Sequence, residues 1–272
     1  MKKLMALCLA SLMLGACSSD KTDKTPDNVT TTNPETITTK NPNWETIIVG
    51  TQGDYPPFSF KNEHGTLIGF EKDLLEAIAA ASQFNVDFID AKRTDMTTQL
   101  NNDMAGIWAS TISINPERQA EMELSEPYLD YARSIIILDN ELNRHIKTLP
   151  QLQGKTIAYS SVSSSEKNQV IEINKDESLA ISEPSAFLAV KAVYTGKAVG
   201  ATGNSMIFNY YAMQYPTIPV RVIPISNERI NIAFAMKKGN VALKDKINTG
   251  LAKVKADGTY DKLIQKWFGK IS

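Results

Sequence analysis

Arg118 follows the pair Pro116-Glu117 just past a run of strand-forming residues, in a stretch otherwise poor in charge. A guanidinium presents its donors as a planar fork that meets a carboxylate at two points. Thr111 and Ser113 stand just upstream at alternate positions, so an extended backbone turns both toward the same side. Their hydroxyls and amides suit the same ligand. Further along, a short apolar run from Thr156 enters Ser160-Ser161-Val162-Ser163-Ser164-Ser165-Glu166. A strand followed by serines and a glutamate reads as a helix start, where free backbone amides favour an anion. Ser164 is the best-placed donor in that cluster. The chemistry these residues offer is recognition of a carboxylate or similar anion by hydrogen bonds.

Groups for bond-making are scarce. Both cysteines, Cys8 and Cys17, lie near the amino end, so the body offers no thiol, disulfide or cysteine-based metal site. With His64 and His145 as the two histidines, a Ser-His-Asp triad or a histidine metal centre would have almost nothing to draw on. Neither a metal nor a cofactor is expected, and the inventory leans toward binding. Lys and Arg total 29 against 30 Asp and Glu, a net charge of −1, which gives no electrostatic case for nucleic acid as a partner. A chain of 272 residues that is 42% hydrophobic and 22% charged can build one large domain or two medium ones.

Lys2 and Lys3 precede an apolar run that is too short to span a bilayer but suits an export signal, expected over residues 1–16. The run ends in Leu14-Gly15-Ala16-Cys17, which resembles a lipobox and implies lipidation of Cys17. Residues 17–43 are Ser, Thr, Asp, Lys, Asn and Pro with little to bury, the composition of a flexible tether. Such a protein would sit in the cell envelope, lipid-anchored on the periplasmic side, beside a membrane it does not cross.

The residues named above need elements to hold them. Short β-rich runs at 47–51, 86–89, 107–111, 135–138, 156–159, 220–225 and 230–236 alternate with helical spacing, which predicts an α/β fold with largely parallel sheet. Helical spacing appears at Phe70, Leu74 and Ile78, at Leu243, Ile247, Leu251 and Val254, and at Tyr260, Leu263, Ile264, Trp267 and Phe268. Pro184 and Gly196 bracket another helix through Phe187 and Val190. The long apolar runs 135–138 and 230–236 each suit a strand leaving one sheet for another, which would make the segment between them a second lobe inserted in the first.

Several stretches together resemble the bacterial extracellular solute-binding proteins of family 3, the binding components of amino-acid ABC importers. They are Gly50-Thr51-Gln52-Gly53-Asp54-Tyr55-Pro56-Pro57-Phe58, then Gly69-Phe70-Glu71-Lys72-Asp73-Leu74, then Thr111-Ile112-Ser113-Ile114-Asn115-Pro116-Glu117-Arg118 with Leu124-Ser125-Glu126-Pro127-Tyr128. Leu152-Gln153-Gly154-Lys155, Asp257-Gly258-Thr259-Tyr260 and Lys266-Trp267-Phe268-Gly269 complete the match. The resemblance implies a two-lobe periplasmic binding protein fold of type II, with lobe 1 from 44–134 plus 231–272, lobe 2 from 135–230, and two crossing strands near Ile135 and Ile230. It also implies one small ligand in the interlobe cleft, delivery to an ABC permease in the inner membrane, and a monomer.

By the same resemblance Arg118 clamps the ligand's α-carboxylate with Thr111 and Ser113, Tyr55 lies over the ligand, and Gln52 meets its far end. Ser164 with its neighbours stands where relatives offer Gly-Thr amides. Four positions depart from the family pattern. Asn204 replaces the aspartate that takes the ligand's ammonium, Gly200 and Gly106 replace two further aspartates, and Arg93 replaces a second ring facing Tyr55. At the ammonium position, Asn204, an anion is lost, and at Arg93 a cation is gained, which suits a more negative ligand than a neutral amino acid. Alternatively Arg93 stacks on Tyr55. Some proteins of this fold are periplasmic dehydratases of prephenate-like acids and others are sensors. A dehydratase would need a proton donor in the cleft, for which Asp54 and Glu126 are the nearest acids by motif.

Overall fold

The computed structural model describes residues 40–269 apart from Val162. The signal segment, Cys17 and nearly all of the expected tether lie outside the described residues.

Amino-terminal elements come in the order β1 (Thr46–Thr51), β2 (Asp54–Tyr55), β3 (Ser59–Lys61), β4 (Leu67–Ile68), α1 (Phe70–Ala81), β5 (Asn85–Asp90), α2 (Met96–Asn101), β6 (Ile107–Ser113), α3 (Pro116–Glu121), β7 (Met122–Leu124) and β8 (Leu129–Leu138). The middle segment adds β9 (Ile157–Ser160), α4 (Ser164–Asn174), β10 (Ala180–Glu183), α5 (Ala186–Tyr194), β11 (Gly200–Asn204) and α6 (Ser205–Gln214). The chain then returns through β12 (Val220–Lys237) to α7 (Val241–Ala256) and α8 (Thr259–Phe268).

The fold is bilobed α/β, of the type II periplasmic binding protein kind. Strands β5, β1 and β6 run parallel in one half, β10, β9 and β11 in the other. Only the antiparallel pair β8 and β12 belongs to both, so the hydrogen-bonded path runs unbroken through the crossing strands. The pairing shifts register between Pro224 and Arg229. On one side of the shift β12 matches Ser134–Leu138, and on the other it matches Leu129–Ala132 and then β6. The runs 220–225 and 230–236, which read as two strands, are therefore one, and β8 begins six residues before the apolar run that marks it.

Burial explains the crossing strands. Side chains alternate across a strand, and in β8 Ile136 enters one core while Ile135 and Ile137 enter another with Ile157, Val170 and Ile223. A strand covered on both faces reads as a continuous apolar run. Helix α1 buries Phe70, Leu74, Leu75 and Ile78 completely, at intervals of three and four that make a single stripe. Each such side chain contributes about 1.5–3 kcal/mol of hydrophobic stabilisation. Gly69 precedes the helix at φ 143°, and a Cβ there would stand 2.2 Å from the carbonyl oxygen of Phe58. Only glycine lets the β2–β3 hairpin close on the start of α1.

Candidate functional site

Between the two halves lies a polar cleft of about 460 Å³. From one side it receives Gln52, Tyr55, Arg93 and Thr94, with Thr111 and Ser113 at the end of β6. Ser160, Ser163, Ser165, Glu166 and Gln169, around the start of α4, face them with Ala186, Gly203 and Asn204. Crossing strand β8 contributes Tyr131 and Arg133. Six of the eight residues expected at the ligand therefore share one cavity: Gln52, Tyr55, Arg93, Thr111, Ser113 and Asn204.

Arg118 does not line the cavity but is bonded to Ser113, which does. Helix α3 starts at an Asn115 cap that accepts the Arg118 N–H at 2.9 Å, and the Arg118 Nη1 donates to the Ser113 carbonyl at 2.8 Å and to the Ser113 hydroxyl. Half-burial and the neighbouring Arg93 charge both lower the Arg118 pKa. The Ser164 side chain is outside the description, though Ser163 and Ser165 on either side of it line the cleft.

Thr111 adopts φ 48°, a left-handed conformation costly for a β-branched residue. A buried and a half-buried side chain hold it. Glu71, on the buried face of α1, accepts the Thr111 N–H at 2.6 Å and the Tyr128 hydroxyl through Oε1. Arg93 donates to the carbonyls of Ser110 at 2.6 Å and Thr111 at 3.4 Å. Its guanidinium is thus fixed to the backbone of β6, rather than turned out to solvent on the Tyr55 ring. Tyr55 itself stacks on Phe58, with ring centres 5.8 Å apart. Burial pushes the Glu71 carboxyl up to about 7, against the Tyr128 and Thr111 hydrogen bonds and the Arg93 charge that pull it down.

The opposite wall carries an acid too. Ser163 caps α4, its hydroxyl accepting the Glu166 N–H at 3.3 Å, and Glu166 Oε2 in turn accepts the Ser160 N–H at 3.0 Å. The helix start expected to receive a ligand anion therefore already holds a carboxyl of the chain's own. Burial raises Glu166 to about 7, while its hydrogen bonds and the Arg133 charge oppose the rise. Asn204 turns its Oδ1 to the Met206 N–H at 2.8 Å and caps α6. The cleft therefore contains a carboxyl that the Asn204 and Arg93 replacements do not take into account: Glu166, three residues past the Ser163 cap. Neither Asp54 nor Glu126 lines it.

Tyr131 and Arg133 escaped the sequence reading because the strand was started at Ile135. Extending the alternation back from Ile135 puts both on one face, and Arg133 pairs in register with Asn204. Gln169, one helical turn past Glu166, carried its own signal in that i, i+3 spacing.

Comparison with known proteins decides what such a cleft belongs to. Residues 47–270 match the bacterial extracellular solute-binding proteins, family 3. The chain belongs to that family. Within it, the chain is 34% identical over 222 residues to the amino-acid-binding protein AabA of Dichelobacter nodosus, covering 79% of this chain and 86% of that one. It is 26% identical to an ABC transporter arginine-binding protein of Escherichia coli, over 82% of this chain and 91% of the relative. Among solved structures, an ancestral cationic amino acid solute binding protein superposes with a TM-score of 0.73 at 29% identity, covering 82% of this chain and 95% of that one. The sequence resemblance to family 3 and the two-lobe fold expected from it both hold.

Proposed function

We propose that this family-3 protein captures an amino acid or related carboxylate in the cleft and delivers it to an ABC permease from the periplasmic side of the cell envelope. Relatives carry names for amino-acid, arginine, glutamine and L-cystine binding, which supports an amino-acid ligand and a binding role in place of catalysis. The observation that carries the reading is the polarity of the cleft: arginine and hydroxyl donors on the β6 wall, a carboxylate on the α4 wall, and the Tyr55 and Tyr131 rings beside both.

In this reading the ligand carboxylate meets Arg93, Thr111 and Ser113, with Arg118 behind Ser113 advancing when the lobes close. Gln52, Asn204 and Ser164 contact the rest. The lobes are 44–134 plus 231–272 and 135–230, and hinge closure turns on β8 and the register shift in β12. Cys17 carries the lipid and 17–43 the tether, which raises the local concentration of a monomeric binder beside its permease.

Calorimetry with L-arginine, L-glutamine, L-cystine and L-glutamate tests the site. Removing one partner of a desolvated charge pair costs roughly 2–5 kcal/mol, about 30-fold or more in affinity. Arg118→Ala should weaken the tightest of these ligands by that much, and unchanged affinity would remove Arg118 from the site. Cys17→Ala should move the protein from the membrane to the soluble fraction; continued anchoring at wild-type levels would refute lipidation.

A further inference from the structure

On the α4 wall, polar atoms collect that the described residues leave without partners. Ser160 Oγ is buried with no hydrogen-bond partner, its residue 2% exposed, and so is Gln169 Oε1, its residue 9% exposed. Both residues line the cleft beside Glu166. The Glu166 carboxyl takes the Ser160 amide on Oε2 and is also hydrogen-bonded by the Ser163 side chain, while Oε1 lies 3.9 Å from where a Cβ on Gly203, another lining residue of the cleft, would stand. Among the described residues Glu166 makes no ion pair within 4 Å, although Arg133 lines the same cavity and its charge opposes the rise of the Glu166 pKa. A carboxylate oxygen, an amide oxygen and a hydroxyl that can accept form a set of acceptors, the arrangement that receives a hydrogen-rich cation. Buried acceptors left unmet are costly, so their convergence on a ligand cavity has a use there.

Asn204 does not fill that role. Its oxygen already takes the Met206 N–H, and the remaining half of its amide is a donor. The geometry points to a cation subsite on the α4 wall, in which Glu166, with Gln169 Oε1 and Ser160 Oγ, receives a positively charged nitrogen of the ligand while the β6 wall holds its carboxylate. Glu166 and Arg93 line one cavity of about 460 Å³ together with Tyr55 and Tyr131, so the two poles fall within reach of one small molecule. The subsite selects a zwitterionic or cationic amino acid over an amine-free acid. It replaces the aspartate lost at position 204, and it reverses the preference for a more negative ligand that the sequence alone suggested.

This inference rests on the amino-acid-binding reading above, and the test separates the two. The purified full chain and its Glu166→Gln variant are titrated with L-arginine, L-glutamine, glutaramate (glutamine without its amine) and glutarate. Wild type should bind at least one of the amino acids and bind glutaramate and glutarate at least 30-fold more weakly. Glu166→Gln should lose about 30-fold or more for the amino acid and change little for glutaramate, with an unchanged melting transition showing that it folds. A loss for both amino acids places the α-ammonium at Glu166, and a loss for L-arginine alone places the guanidinium there. Glu166→Asp, which keeps the charge on a shorter stem, should recover part of the affinity, an outcome that loss of helix capping would not give. The cation subsite is overturned if an amino acid binds wild type and Glu166→Gln equally, or if glutarate binds more tightly than either amino acid. Failure of all four compounds to bind instead overturns the amino-acid reading itself.

Discussion

At the scale of single residues, two buried carboxyls make stability and ligand binding depend on pH in opposite directions. Glu71 and Glu166 are both pushed up to about 7 from an ordinary glutamate value of 4.5. The folded state therefore holds their protons more tightly than the unfolded chain, so their contribution to stability is fully present below pH 4.5 and is lost as pH rises from there through about 7. A shift of this size is worth up to about 3 kcal/mol per group. Urea unfolding of the ligand-free protein should thus give a higher midpoint at pH 5 than at pH 8. Glu71→Gln should remove part of that difference, since a neutral amide oxygen still accepts from Thr111 and Tyr128. Ligand binding runs the other way. A cationic nitrogen favours ionised Glu166, which faces Arg133 and Tyr131 on β8, Tyr55 on β2 and the Ser160 amide. Affinity should fall about tenfold per pH unit below roughly 7 and level off above it, and Glu166→Gln should flatten the profile. Calorimetry between pH 5 and 8 reads both effects; an affinity that rises as pH falls would contradict the sign.

Elements differ in how plainly the sequence announced them, and the difference follows from what each buries. Helices α1, α7 and α8 carry apolar stripes at helical spacing and stand where that spacing put them. The first half of β8 is polar because its alternate residues Tyr131 and Arg133 face the cleft, so no hydrophobic run marks it. Pro224 and Ser226-Asn227-Glu228 carry the composition of a turn, yet the crossing strand continues through them with a register shift. Strand β11 is Gly-Ala-Thr-Gly-Asn, with no β-branched aliphatic or aromatic residue, but every position in it is buried. Its small side chains fit where Ile135, Ile137 and Phe208 already fill the space. The residues of the cleft were legible where a motif marked them, as at Tyr55, Thr111 and Ser113. They were hidden at Glu166, where the capping signal S-x-x-E has a purely local explanation. Two substitutions gauge the elements that hold the site. Leu74→Ala should cost roughly 2–5 kcal/mol, the usual range for a fully buried leucine. Gly69→Ala should be poorly tolerated as well, because both φ and the Phe58 carbonyl forbid its Cβ; denaturant midpoints near wild type for either would contradict this packing.

At the largest scale, the sheet halves of the described residues meet at β8 and β12, and the cleft opens where β8 carries Tyr131 and Arg133 between the two walls. A ligand with a carboxylate at the β6 wall and a cation at the α4 wall touches both halves at once, so its binding energy falls on the conformation in which they are close. A ligand favours one conformation only by its differential affinity for it, and a molecule with charge at both ends has that property here. The full chain purified without added ligand, sprayed under native conditions before and after mild acid release, tests this most directly. Wild type should carry one amino acid per chain, identified by its released mass, and both Arg93→Ala and Glu166→Gln should emerge without it while keeping their fold. Retention of the same molecule by both variants, or failure of wild type to take up any amino acid when L-arginine, L-glutamine, L-cystine and L-glutamate are supplied, would contradict a ligand held between these two walls.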